Sequence, residues 1–499
     1  MLAGDTAAWS SPLMSVAAPP MPTQSPADAR HPWRTVLMSF VIVFIVFLAS
    51  PNVLPRGDAA LSIPTARSLL HERNVDLSEY VSVPWVADHY ALTNYHGRQV
   101  DYFPWLVSAS AVPFVAAIDL VALTGLTPST DELIRQDRSW VVHYVAAGFW
   151  SAMAAVLLAI LTLQFLHRWA ITWADPTTRI GRVAASRPLV TLSLVIAFST
   201  QLWSITSRSL AAHAPALACI AGAMVLASGV QRSKYRMSSA VAAGALCAIA
   251  FWIRPVTVVA TGVVALLIAL HDRKRLIGFL GGTAVTHLVI LATNQLLYGA
   301  RPPYFESGRL GLHSAYAEAM AANLVSPARG LLLFCPQVVL VAALLVPKVR
   351  QQFSSSARPT IIILLAATAG VLLVVSAYGY QWWAGHTYGP RYMSDALPFF
   401  VPVTVATSVV LLRLAPSKLA RALIGLLWAV AVVVHFQGGW FHSTECWNGG
   451  RRPNIDTSPS RVWSVSDPQI TSGFRTLIEH GAPEALWAAC GADAEQVKP

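Results

Sequence analysis

Residues 139–166 read SWVVHYVAAGFWSAMAAVLLAILTLQFL, without one Asp, Glu, Lys or Arg. A helix of about 17–25 apolar residues crosses a hydrocarbon core roughly 30 Å thick, so this stretch is long enough to span a bilayer. It is one of a series. Further apolar runs lie at about 188–206, 212–230, 237–253, 255–270, 276–298, 328–347, 360–378, 393–412 and 421–436, with another upstream at Thr35–Ser50. That makes about eleven spans. The whole chain has 499 residues, 55% hydrophobic and only 12% charged, half the charged fraction of an ordinary soluble domain. Such a chain cannot cover a water-soluble surface. In lipid every backbone polar group must be satisfied internally, which leaves helices or a closed barrel. The alternating segments of about ten residues that a barrel needs are missing. The expected fold is an all-α, polytopic transmembrane protein.

Between the first run and residue 139 lies a polar stretch, 51–138, interrupted by the apolar segment Phe103–Gly125 with Pro104, Pro113 and Asp119 inside it. We read that segment as interfacial rather than spanning. Charge supports this. With the N-terminus in the cytoplasm and 103–125 left out of the membrane, the cytoplasmic pieces hold 18 of the 35 Lys+Arg and 4 of the 24 Asp+Glu; the outer pieces hold the other 17 and 20. This is the positive-inside pattern, and it accounts for the net charge of +11 without a nucleic-acid partner. The first run ends in SPNVLPRGD with no small-residue cleavage pattern, so it reads as a retained membrane helix rather than a signal peptide. Three parts are expected: a cytoplasmic tail, 1–34, without fixed structure; a membrane module, 35–436, with its first outer loop at 51–138; and an extracytoplasmic tail, 437–499. Arg far outnumbers Lys and Ala is abundant, which points to a GC-rich bacterial genome and hence to the bacterial plasma membrane.

The long polar segments fall on the outer side, and the cytoplasmic loops are too short for a nucleotide-binding domain. No G-x-x-x-x-G-K-[ST] loop occurs, nor a D-x-D pattern, nor metal-ligand spacing of His and Cys. No metal and no other cofactor is expected. Three cysteines lie in or beside apolar runs; Cys446 and Cys490 share the outer tail, where an oxidising compartment would allow them to pair.

Candidate chemistry gathers at the outer helix ends. Asp58, just past the first helix, is either an N-cap for the ALSIPTARSLL helix after it or a general base beside Arg67. Asp88 and Asp101 follow in the same loop as candidate sugar or acceptor contacts, Asp88 also reading as a solvated loop acid. Arg254, in FWIRPV between two apolar runs, needs an anionic partner at that depth; either a distant acidic side chain or a lipid phosphate meets the requirement. Arg391 and His386 lie in QWWAGHTYGPRYMSD, a loop whose Trp383 and Tyr388 suit an interfacial belt or a sugar platform. Arg329 begins another helix at the headgroup level, where it can meet a phosphate or merely snorkel. His213 reads as structural.

The ordered set GDAALSIPTARSLLHERNVDL, DYFPWLVSASAVPF, LWSITSRSLAAHAP, FWIRPV, NQLLYGARPPYF, LVSPARGLLLF, WWAGHTYGPRYMSDALPF and RVWSVSDPQ resembles the GT-C glycosyltransferases. More narrowly it is similar to the bacterial branch related to protein mannosyltransferases and lipid A aminoarabinose transferases, over about residues 35–470. The resemblance implies a catalytic Asp in the first outer loop, which falls on Asp58. It also implies a polyprenyl-phosphate sugar donor and inversion at the anomeric carbon. The chain departs from the pattern in having one proline in Phe103-Pro104-Trp105 where two are usual, and in lacking an acidic pair after the first-loop Asp. On this reading Arg254, Arg391, Arg329 and His386 hold the donor phosphate. Asp101, Asp88, Arg67, Trp383 and Tyr388 contact sugar or a saccharide, lipid or protein acceptor. The rivals are a transporter or flippase of lipid-linked saccharide, which would need polar residues at mid-membrane depth, and a non-catalytic scaffold.

Overall fold

The structure is a computed structural model, and it describes residues 32–52, 57–169, 187–229, 236–306, 308, 310–450, 453–487 and 490. The expectation of an unstructured tail at 1–34 falls almost wholly outside them, as do most of the loops at 167–187 and 231–236. The protein is an all-α, multi-pass membrane protein. Six helices are long and apolar enough to cross a bilayer, and six shorter apolar helices accompany them among the described residues. Trp140–Trp169 is the hub: it packs against Pro32–Ala49, Arg187–Phe198, His213–Gly229 and Leu397–Leu414. Burial separates centre from rim. Trp140–His167 is 67% buried and Arg391–Leu414 72%, whereas Arg273–Tyr298 and Lys418–Trp440 are each 17% buried and turn most of their apolar surface outward. The central core is built from Phe47, Phe165, Leu217, Phe399 and Phe400.

One helix pair is set by glycine. Arg236–Ile253 packs on Arg273–Tyr298 where Gly278 and Gly282 form a Gly-x-x-x-Gly face. A Cβ on Gly282 would overlap the Val241 carbonyl, one on Gly278 the Met237 side chain, and one on Gly244 the Phe279 carbonyl. The backbones therefore approach as small residues allow between membrane helices. This pair fixes the end of Arg236–Ile253, and hence Arg254.

Several apolar runs read as single spans are broken. The 188–206 run is Arg187–Phe198 followed by a wide turn, Leu202–Thr206. The 328–347 run is Leu331–Phe334 followed by the tighter 3₁₀ helix Pro336–Leu345, because Pro336 has no N–H to continue the first turn. Residues 103–125 form two short helices, Trp105–Ala109 and Val112–Ala122. At 1.5 Å per residue the longer spans about 16 Å, half of a hydrocarbon core. An antiparallel hairpin precedes them: β1 (Leu92–Tyr95) pairs with β2 (Arg98–Asp101). Its turn, His96–Gly97, has φ of 52° and 80°, the doubly left-handed turn that matches strand twist.

The end of the first helix is held by a residue whose importance the sequence did not signal. Arg208 is fully buried and donates to the carbonyls of Phe47 (2.9 Å), Ser50 (2.9 Å) and Asn52 (3.3 Å). The Phe47 carbonyl belongs to the last turn, which a helix terminus leaves without intrahelical partners, and Ser50 and Asn52 lie just beyond it. Asn52 is tied in turn to the Gly438 carbonyl at 2.7 Å. The chain is thus fixed at the end of the first helix as far as Asn52.

Candidate active site

Four distant parts of the chain meet in one cleft at the end of the bundle where the first helix ends. Asp58 comes from the segment after that helix, Arg254 from the junction after Arg236–Ile253, and Tyr304 from the loop past Tyr298. Tyr378, Tyr380, Gln381, Arg391 and Tyr392 come from the segment before Leu397–Leu414. Phe103, Pro104 and Val107, with Ala211 and Ala212, also line the cleft. Tyr380 is 79% exposed and marks the mouth.

Asp58 does not cap a helix. The helix after it is Ser62–Arg67, whose N-cap position is Leu61 with no side-chain cap bond. Its carboxylate instead accepts from the Tyr90 hydroxyl at 2.6 Å and forms an ion pair with Arg391. Burial alone would raise the Asp58 carboxyl. The Arg391 charge, the hydrogen bonds from Tyr90 and Arg391, and His213 together bring it below the usual value, so Asp58 is ionised. Arg391 follows Gly389, whose φ of 74° and contact with the Phe334 ring admit only glycine.

Behind Arg391 lies a chain of partners. Its Nε–H donates to His213 Nε2 at 3.1 Å. His213 Nδ1 stands 3.6 Å from Asp395 Oδ1, and Asp395 Oδ2 accepts from Arg254 Nε at 2.5 Å. Arg254 therefore has an acidic partner, Asp395, 141 residues away. Its charge is balanced inside the protein, and a lipid phosphate is not needed to explain its burial. Arg254 nonetheless keeps unused donor capacity, because its Nη2 has no hydrogen-bond partner. His213, Asp395, Tyr90, Tyr304 and Tyr378 are thus site residues that the sequence reading did not select. FWIRPV predicted a missing anion; no local spacing says that it lies in YMSD.

The other selected residues lie elsewhere. Arg67 donates to the Tyr80 hydroxyl at 3.0 Å and pairs with Asp131 and Glu72, so it is not beside Asp58. Asp88 is exposed at the end of the short helix Pro84–Ala87. Asp101 is buried, and its Oδ1 accepts from the Phe103 N–H at 3.0 Å; it sets the turn into the cleft wall and does not line the cleft. Burial pushes its carboxyl up to about 8, against the lowering by the Phe103 N–H, and the Asp58 charge adds to the rise.

Arg329, His386, Trp383 and Tyr388 belong to a second cluster that fastens the C-terminal segment. Arg329 is fully buried and satisfied by neutral acceptors. It donates to the carbonyls of Trp383 (2.6 Å), Ala328 (3.0 Å) and Gly385 (3.0 Å), to Asn448 Oδ1 (2.8 Å) and to Gln469 Oε1. His386 pairs with Asp456 at 3.0 Å, and Trp383 Nε1 donates to the same carboxylate at 2.8 Å. The buried Tyr388 hydroxyl donates to the Val434 carbonyl at 2.8 Å. None of the four lines the cleft. In the same segment Cys446 and Cys490 are joined by a disulfide. Apart from these cysteines with His442, no grouping of three potential metal ligands occurs among the described residues.

No protein-family model matches the chain, and neither does any curated protein. Among solved structures, the apo-form oligosaccharyltransferase of Archaeoglobus fulgidus aligns with a TM-score of 0.44 and 10% identity, over 87% of this chain and 60% of that one. The present chain thus spans about 60% of the length of that protein.

Proposed function

We propose that this protein is a GT-C-type membrane glycosyltransferase that moves a sugar from a polyprenyl-phosphate donor to a glycan, lipid or protein acceptor, with inversion. The observation that carries the reading is the meeting of one ionised carboxylate, Asp58, with two guanidinium groups, Arg391 and Arg254, in a single cleft lined by tyrosines. Transfer from a phosphate carrier asks for those groups: a base for the acceptor hydroxyl, and donors where charge develops on the departing phosphate.

The mechanism follows from the pairings. Arg391 is counter-ion to Asp58. A phosphate at the mouth competes for that guanidinium, whose planar fork suits two oxygens at once. As Arg391 gives its Nη donors to the phosphate, Asp58 loses its strongest partner and becomes the better base. The acceptor oxygen attacks the anomeric carbon and its proton passes to Asp58. The bond from that carbon to the phosphate oxygen breaks, and the oxygen leaves with the electron pair toward Arg391, with Arg254 in the same cleft wall. Tyr304, Tyr378 and Tyr392 offer faces and hydroxyls to the sugar.

We place this end of the bundle outside a bacterial plasma membrane, with residues 35–436 as the catalytic module, the N-terminus in the cytoplasm and the C-terminal segment on the outer side; the charge bias between the loops supports that orientation. A transporter would instead place ionisable groups midway along its helices; here the two ion pairs join helix ends. The test is the lipid and glycan profile of a strain lacking the gene, restored with wild-type protein or with Asp58→Asn. We expect one glycan species to lose a sugar and only the wild type to restore it. An unchanged profile on deletion, or full restoration by Asp58→Asn, overturns the reading.

A further inference from the structure

Both cleft arginines are held from behind by the same atom. Arg254 gives its Nε–H to Asp395, and Arg391 gives its Nε–H to His213. The two holders face each other, His213 Nδ1 lying 3.6 Å from Asp395 Oδ1. All four groups are buried or nearly so, with His213 and Asp395 side chains each 2% exposed. Arginine only donates. The imidazole nitrogen facing Arg391 must therefore present its lone pair, and a neutral His213 carries its proton on Nδ1, toward Asp395. That nitrogen and Asp395 Oδ1 have no other hydrogen-bond partner. A closure of a few tenths of an ångström completes the line Asp58–Arg391–His213–Asp395–Arg254, in which each link joins a donor to an acceptor.

We propose that His213 is the positioning residue of the phosphate site. It anchors Arg391 through Nε so that the guanidinium keeps its place when Asp58 lets go of it. The inference rests on the donor-phosphate reading above. Asp58 cannot both pair with Arg391 and take a proton, so during transfer Arg391 has to be held by something else, and His213 is the neutral acceptor in place to do it. A neutral holder suits this role: a third carboxylate there would compete with the phosphate for the same charge. Asp395, which faces the other nitrogen of the imidazole, holds Arg254 as its counter-ion and so links the two guanidiniums.

The experiment is binding of undecaprenyl phosphate in detergent to the purified full-length protein, with thermal unfolding of each variant alongside. Arg391→Ala tests the underlying reading. His213→Gln, whose amide reaches the position of Nε2, and His213→Asn, whose shorter amide does not, test the inference. A hydrogen bond to a charged group is worth about 10- to 100-fold in affinity. We expect Arg391→Ala to abolish measurable binding and His213→Asn to weaken it about 10-fold or more. His213→Gln is expected to stay within about threefold of the wild type, with melting midpoints of the two His213 variants alike. Unweakened binding by Arg391→Ala overturns the phosphate reading itself. Weakened binding by Arg391→Ala, with His213→Asn and His213→Gln both at wild-type affinity or both equally impaired, overturns the role of His213 and leaves the phosphate reading standing.

Discussion

Arg391 and Arg329 are both shielded arginines in polar loops that border apolar helices, and their surroundings separate them. Arg329 spends its donors on three backbone carbonyls and two side-chain amides from distant parts of the chain. No carboxylate bonds to it, and it does not line the cleft that holds Arg391. Arg391 is paired with an acid that is 37% exposed at the cleft, and its neighbours His213, Asp395 and Arg254 retain unfilled polar atoms. The first arrangement ties strands of chain together. The second has ions that can change partners. A buried charge is therefore read for function by the spare capacity around it rather than by its burial.

That contrast makes Arg329 the place where a substitution should cost the most stability. Arg329→Met leaves several acceptors unpaired, each costing roughly 1–3 kcal/mol, so we expect a loss above about 3 kcal/mol in detergent thermal or chemical unfolding. Arg391→Met should unfold close to the wild type while losing transfer. Equal stability losses would erase the distinction. The disulfide serves the same anchoring region. It closes a separation of 44 residues, for which chain entropy suggests about 2–4 kcal/mol. Cys446→Ser should lower stability by that order and speed proteolysis beyond residue 440; unchanged proteolysis would remove the tail from the anchor.

Asp101 sharpens the cleft side. Its carboxyl is raised to about 8 from an ordinary 3.8, so the folded state binds a proton that the unfolded chain releases. The stabilisation is complete below about pH 4 and is lost as pH rises toward 8. The wild-type melting midpoint should fall across that window, and Asp101→Asn should flatten the fall. Parallel curves would mean that Asp101 is ionised in the fold. The smallest effect is expected from Arg391→Lys, which keeps charge but loses the fork: donor affinity should drop about tenfold, with stability unmoved. A wild-type affinity would show that charge alone suffices.

The membrane fold was legible because each span is a local property. The run at 139–166 became Trp140–Trp169, and the run at 212–230 became His213–Gly229. Asp58, Arg254 and Arg391 were legible as polar residues at helix ends, and they do come together. Which ends meet is a tertiary fact. Asp395 is one acid in YMSD, and nothing near FWIRPV names it as the partner of Arg254. Trp383, His386 and Tyr388 carry the same side chains a sugar site would use. Only the tertiary contacts show their role: Trp447, Ile455 and Asp456 of the C-terminal segment meet Trp383 and His386, while Tyr388 bonds to Val434 and has Ile470 beside it.

The most direct test of the cleft is sugar transfer by Asp58→Asn in membranes, against Asp101→Asn from the same loop. The amide keeps the shape of Asp58 and its hydrogen bond from Tyr90 but cannot take a proton. We expect Asp58→Asn to fold normally and lose about 10²–10⁴-fold in rate, while Asp101→Asn transfers at close to the wild-type rate. Near-normal transfer by Asp58→Asn, with or without loss in Asp101→Asn, would contradict the role of Asp58 as the base.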